Sequence, residues 1–181
     1  MLFSEEFKAD YFRMTGNMLH LDIHLFKNIM LRHNVRYAFW LRRHLSSGGV
    51  FSRFMLYRYS RKFGLECSPN VSIGKGLLLG HPYNITIGDG VVIGDNLNIH
   101  KGATIGVENR GKRMGAPTIG NRVFIGINAT VIGKITVGDD VMICPGAFVN
   151  FDVPSHSIVL GNPGTIHPKE NATELYIRNC V

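Results

Sequence analysis

The stretch Pro117–Val149, PTIGNRVFIGINATVIGKITVGDDVMICPGAFV, carries an aliphatic residue at every sixth position: Ile119, Ile125, Val131, Val137, Ile143 and Val149. Upstream, the same spacing returns at Ile87, Ile93, Ile99 and Ile105, and before them at Cys67, Ile73 and Leu79. Within each run the interval of six holds without exception. Glycine usually follows (Gly74, Gly80, Gly88, Gly94, Gly106, Gly120, Gly126, Gly138). A second small or apolar residue comes four positions after the aliphatic, as at Val91, Leu97, Ala103, Val123, Ala129, Ile135, Val141, Ala147 and Val153. Fixed-period self-similarity marks a solenoid, and a short period of this kind marks a β-helix. Each short strand sends one aliphatic inward, and a glycine-rich corner turns the chain where positive φ costs little. Three hexads make one coil, and coils stack about 4.7–4.9 Å apart. Residues 67–153, less ten inserted residues, make between four and five coils. The resulting prism is roughly 20 Å tall.

Two interruptions break the register. The gap from Leu79 to Ile87 is eight residues and that from Ile105 to Ile119 is fourteen. Insertions in a solenoid become loops outside the coil, often on its binding face. The first contains His81; the second, VENRGKRMGAP, carries Arg110, Lys112 and Arg113. After the coils, VPSHSIVLGNPGTIHPK closes the prism, and ATELYIRN is expected to cap an edge that would otherwise be exposed.

The chain before the repeats reads as helical. Ser4 caps a first helix that ends near Gly16. A longer helical stretch, LFKNIMLRHNVRYAFWLRRHL, stops at Ser46-Ser47-Gly48-Gly49, and VFSRFMLYRYSRKF stops at Gly64. The expected organisation is a helical region over 1–64, a β-helix over 65–167 and a C-terminal cap over 168–181.

Charge divides along the same line. Residues 1–65 hold 11 Lys+Arg against 4 Asp+Glu, and residues 66–181 hold 9 of each. Such asymmetry on its own suits an acidic partner, nucleic acid or an anionic membrane surface. In the third helix, however, apolar and basic residues do not separate into two faces, so packing is the expected role. No nucleic-acid partner is expected. The three cysteines form neither a disulfide framework nor a C-x-x-C knuckle. No apolar run reaches the roughly 18 residues of a membrane span. The acidic MLFSEEFKAD lacks the basic start of a secretory signal, so a cytoplasmic location is the expectation.

For chemistry, His81 stands where the coil breaks step. Ile99 is one coil plus two residues beyond Leu79, so His100 should stack above Gly80, close to His81. Glu66 lies one coil below the strand that leaves the His81 loop, and the three are expected to gather at one corner. A carboxylate beside an imidazole fixes its tautomer and strengthens it as a general base.

The hexapeptide pattern, the loop histidine, the long later loop and the ending VPSHSIVLGNP resemble the hexapeptide-repeat acyltransferases. Within them the chain most resembles the serine acetyltransferases, whose L-D-H-A-T-G-I-V-I-G corresponds to LGHPYNITIG here. The likeness spans about residues 50–165. It implies an all-β core forming a left-handed parallel β-helix, a homotrimer, and acetyl-CoA bound between subunits. It implies His81 as catalytic base, with Glu66 standing where the family has an aspartate. Gly106, Gly126 and Ile127 fall where the family lines its pantetheine channel, and Pro163 and Lys169 near the cofactor's nucleotide end. Gly80 and His100, with Lys112 and Arg113 of the long loop, are the candidate acceptor-side residues.

Two departures bear on the acceptor. The family's Asp before the catalytic His is Gly80, and its Arg-His pair at the end of the long loop is Gly115-Ala116. Without that charged clamp, the expected acceptor is the hydroxyl of a sugar or glycoside of surface polysaccharide biosynthesis, with serine as the alternative. Transfer is expected to be direct, with no metal and no covalent intermediate. A zinc enzyme of the γ-carbonic anhydrase kind would need a close histidine pair the chain lacks, and a non-catalytic scaffold is the remaining rival.

Overall fold

The computed structural model describes residues 3–181. Four helices come first: α1 (Glu5–Thr15), α2 (Ile23–Leu31), α3 (His33–Ser47) and α4 (Val50–Phe63). Ser4 caps α1 by accepting from the Phe7 amide, and Gly16, Gly48 and Gly64 end α1, α3 and α4 in the left-handed conformation. The single long helix expected after Gly16 is instead two. Arg32 is extended (φ −103°, ψ 106°) and separates α2 from α3, while its guanidinium donates to the Met14 carbonyl. Neither glycine nor proline marks this break, so the local sequence carries no sign of it.

From Leu65 the chain winds into a parallel β-helix of about five turns with three faces. The first face stacks β1 (Leu65–Cys67), β4 (Ile85–Ile87), β7 (Thr104–Gly106), β10 (Thr130–Ile132) and β13 (Phe148–Val149). The second stacks β2 (Ser72–Ile73), β5 (Val92–Ile93), β8 (Thr118–Ile119) and β11 (Thr136–Val137). The third stacks β3 (Leu78–Gly80), β6 (Asn98–His100), β9 (Val123–Ile125), β12 (Val141–Ile143) and β14 (Ser157–Leu160), with β15 (Thr165–Pro168) antiparallel at its edge. The hexad residues fall in three columns: Cys67, Ile87, Ile105, Val131 and Val149; Ile73, Ile93, Ile119 and Val137; Leu79, Ile99, Ile125, Ile143 and Val159. Both insertions are therefore absorbed without loss of register. Apart from half-buried Cys67, the columns are buried and form one continuous core.

The hexad glycines serve a purpose other than the expected one. Gly74, Gly94, Gly120 and Gly138 are not among the positive-φ residues. They stack directly: a Cβ on Gly74 would lie 2.7 Å from the Gly94 carbonyl, and one on Gly120 2.8 Å from that of Gly138. Space between coils, not backbone freedom, demands glycine there. The left-handed positions lie two residues further on in the same corner, at Gly76, Asn96, Arg122, Asp140 and His156.

A buried ion pair docks the helices onto the coil. Arg42 of α3 donates to both carboxylate oxygens of Asp10 at 2.7 and 3.0 Å, and to the carbonyls of Ile73 (2.7 Å) and Gly74 (2.6 Å). Asp10 also accepts from the Leu77 amide at 2.8 Å.

At the other end, the edge of β14 is covered by β15 and not by ATELYIRN, the segment expected to cap it. The residues after it do not stay at that end. Residues 171–181 run back along the third face as a strap, from Asp140 past Phe124 and Asn98 to Asn96.

Candidate active site

The first insertion occupies the corner between the third and first faces. β3 ends at Gly80, His81 takes a left-handed backbone (φ 48°), and Asn84 does so again (φ 52°) before β4 begins. A left-handed non-glycine residue costs roughly 1–2 kcal/mol, so the surroundings must hold it. They do so on three sides. The Tyr83 amide donates to the His81 carbonyl (2.8 Å), and the Asn84 amide to that of Phe63 (2.9 Å). Pro82 is buried, and the Tyr83 ring lies against Phe63 (5.6 Å) and His33 (5.2 Å). The loop is thus pinned to the end of α4, while the His81 side chain stays exposed.

His100 stands opposite Gly80 in the next coil, and its ring centroid is 6.4 Å from that of His81. Burial, and secondarily the neighbouring His81, push its imidazole below the usual histidine range, so it is neutral at pH 7. A Cβ on Gly80 would come within 2.5–2.8 Å of that ring. The His100 imidazole therefore occupies the space a side chain at position 80 would need.

Glu66 does not join the two histidines. It lies opposite Thr86 on the first face, and its carboxylate accepts from Ser60 Oγ at 3.0 Å. No hydrogen bond or ion pair links it to His81. The reason is topological: Thr86 is five residues past His81 and already on the next face. Glu66 instead lines a cavity of about 440 Å³ between α3, α4 and the first face, with Tyr37, His44, Ser60 and Thr86. Cys67 borders the same cavity, and burial pushes its thiol up to about 12, so it is no nucleophile.

The corner that carries His81 continues up the coil through Lys101, Ile127 and Gly146, joined by backbone bonds from Gly102 to Tyr83, Asn128 to Lys101 and Gly146 to Ile127. Gly126 lies on this corner, and a Cβ there would meet Pro145 at 2.6 Å. Pro163, in the turn between β14 and β15, sits at its top. Gly106 lies across the first face from that corner, at the far end of β7. Lys169 is also separate, since it follows β15 and its amide donates to the His156 carbonyl, at the opposite end of the third face from Pro163.

The long loop belongs to the corner between the first and second faces. It folds back through a bridge between Glu108 and Gly115, and Lys134 donates to the Arg113 carbonyl. Lys112 and Arg113 are exposed there. Within one chain they are a full strand away from His81, about 10 Å of backbone.

A larger cavity, about 550 Å³, adjoins His100. Its floor includes Phe124 and Ile127, and its outer wall is the strap, at Leu175 and Tyr176. His100 and Ile127 are legible in the sequence, whereas Phe124, Tyr176 and Asn98 are brought together only by the strap's return. Among the described residues, no three His, Cys, Asp or Glu side chains gather as a metal site, and no helix is long and apolar enough to cross a membrane.

Repeat, coil and loop histidine together define a hexapeptide-repeat β-helix protein. Residues 116–150 match the family "Bacterial transferase hexapeptide (six repeats)". The chain is similar to the serine acetyltransferases. It is 41% identical over 111 residues to serine acetyltransferase 4 of Arabidopsis thaliana, covering 60% of this chain and 31% of that one. It is 35% identical over 135 residues to the serine acetyltransferase of Bacillus pumilus, covering 74% and 60%. It superposes on the serine acetyltransferase of Neisseria gonorrhoeae in complex with serine with a TM-score of 0.67 and 28% identity, covering 90% and 66%. The chain spans less than two-thirds of the length of these relatives. The saccharide acceptor expected from the missing charges finds no support among them.

Proposed function

We propose that the chain is an acetyl-CoA-dependent O-acetyltransferase whose acceptor is the hydroxyl of serine. The observation that carries the reading is His81: an exposed imidazole on a loop pinned in a left-handed conformation, at the corner that leads to Ile127. The relatives supply the reaction class and the acceptor. In the step, His81 takes the proton of the acceptor hydroxyl as the oxygen attacks the thioester carbonyl. The C–S bond then breaks, and the imidazolium returns the proton to the departing thiolate. General-base assistance of this kind is worth about 10²–10⁴-fold.

A homotrimer belongs to this proposal. The long loop with Lys112 and Arg113 and the corner with His81 lie on different edges of one prism, so a site that uses both needs two copies. Mass determination in solution tests it.

A different, uncharged hydroxyl acceptor is the second reading. One observation favours it: the His100 ring fills the space a side chain at position 80 would need, and among the described residues no hydrogen bond or ion pair joins a carboxylate to either imidazole. The deciding experiment is acetyl-CoA-dependent thiol release with L-serine beside uncharged hydroxyl compounds, for wild type and His81→Ala. Saturable turnover of serine, abolished in His81→Ala, supports the first reading. Turnover of the uncharged compounds alone selects the second, and no release with any acceptor leaves a scaffold.

A further inference from the structure

We infer that the C-terminal strap is a working wall of the acyl-donor site, with Tyr176 and Leu175 positioning the donor's pantetheine arm. The inference rests on the acetyl-CoA reading above and adds to it a segment outside the repeats.

The strap is held by buried polar side chains. Asp140 accepts from the amides of Ala172 (3.0 Å) and Thr173 (3.1 Å) and from Thr173 Oγ1 (2.7 Å). Asn98 Nδ2 donates to the Tyr176 carbonyl at 2.9 Å, and Arg13 donates to that of Arg178. Asn96 closes the series, accepting from the Val181 amide and donating to its carbonyl, both at 3.0 Å. Buried polar groups are costly unless bonded, so this many devoted to one segment fix its path. Ala172 and Ile177 are the strap's buried apolar contacts, against Phe124 and Met142.

The side chains between those anchors are left free. Leu175 is 76% exposed and Tyr176 50%, although the backbone of each is pinned between bonded neighbours. Both face the 550 Å³ cavity, whose size lies within the roughly 300–1,000 Å³ of small-molecule sites. An aromatic floor leads inward, with Tyr176 5.1 Å from Phe124 and Phe124 4.9 Å from His100, centroid to centroid. His100 lies at the inner end, and His81 stands beside it. Ile127 and Pro145 of the His81 corner line the cavity as well. A largely apolar trough that ends beside a general base suits a thioester on a long flexible arm. The strap supplies the side of that trough which the coil itself lacks.

Calorimetric titration with CoA and acetyl-CoA tests this on wild type, Leu175→Ala, Tyr176→Ala and Tyr176→Phe. Both side chains are at least half exposed, so thermal midpoints should match wild type. Tyr176→Ala, alone or with Leu175→Ala, should weaken donor binding about tenfold, with Tyr176→Phe close to wild type. KM for acetyl-CoA should rise by a similar factor while KM for the acceptor stays put. Donor affinity and KM within twofold of wild type in the double variant would overturn the inference and leave the donor reading intact. A wild type that binds neither CoA nor acetyl-CoA would overturn the donor reading, and this inference with it.

Discussion

Gly80 and His100 face each other in adjacent strands, and a Cβ on Gly80 would lie 2.5 Å from the His100 ring. The two positions are one unit: the ring is present because the side chain is absent. Gly80→Ala is therefore expected to destabilise the fold by about 1–3 kcal/mol through overpacking. In a His100→Ala background the same substitution should cost much less, with a coupling above about 0.5 kcal/mol. Urea unfolding of the two single variants and the double variant measures it, and additive effects would refute the pairing.

Glu66 and His81, by contrast, are separable. The Glu66 carboxylate is held by Ser60 and makes no bond to His81. Glu66→Gln, which keeps the shape and an acceptor for Ser60, is expected to lower the rate of thiol release less than about tenfold. His81→Ala should lose the full 10²–10⁴-fold, roughly, of a general base. Equal losses in the two variants would show that the pair closes up in the working enzyme.

His100 offers a direct reading of its surroundings. Burial, then the proximity of His81, hold its imidazole below the usual 6.5. The folded state therefore favours the neutral ring. The associated stability is fully present above about pH 6.5 and is lost as pH falls through the lowered folded value. Phe124 faces the ring from β9 and His81 from the loop, and neither offers a carboxylate to reverse the sign. Nuclear magnetic resonance titration should place the His100 midpoint below 6.5. A midpoint above 6.5 would mean an unseen anion at the site.

The coil was legible because its constraint repeats: each aliphatic column needs the same residue type at every level, and thirteen hexad positions report it together. His81 was legible because it sits where that count slips. The glycines were legible in place but not in purpose, since close stacking of Gly74 on Gly94 and a positive-φ turn both call for glycine. Glu66 was misplaced because counting coils gives height along the prism but not which way around a corner a side chain lies. The strap was not legible at all. Asn98 and Tyr176 are 78 positions apart, and Asn96 and Val181 are 85. Nothing periodic announces a polar side chain whose partner is one distant backbone group.

The clamp between helices and coil carries a larger predicted cost. Asp10 and Arg42 are 0% and 5% exposed, and each would be left without its counter-charge by removal of the other. Asp10→Ala is expected to cost about 3–5 kcal/mol because the Arg42 guanidinium stays buried. Arg42→Met together with Asp10→Leu should recover much of the loss, since a packed apolar pair avoids desolvation altogether. The carbonyls of Ile73 and Gly74 would then lose their donor, so recovery should be incomplete. Chemical denaturation of wild type and the two variants decides it.

Strap attachment should depend on pH through Asp140. Burial pushes this carboxyl up, but hydrogen bonds from the Thr173 side chain, from His156 and from the amides of Thr173 and Ala172 outweigh it and hold the group below 3.8. The lowered value means that the folded state favours the ionised form. Its contribution is fully present above about pH 3.8 and is lost as pH falls through the lowered folded value. The charged groups facing it are His156, with Nδ1 2.9 Å from Asp140, and Glu170, 3.4 Å from the same His156 nitrogen. Detachment should therefore wait until Asp140 itself takes a proton. The amide resonances of Ala172 and Thr173 should hold steady from neutral pH to about 4 and move together below it. Asp140→Asn should loosen the strap already at pH 7, exposing the bond after Arg178 to trypsin while the coil stays intact. Resistance to cleavage in that variant would mean that Asn96, Asn98 and Arg13 hold the strap without Asp140.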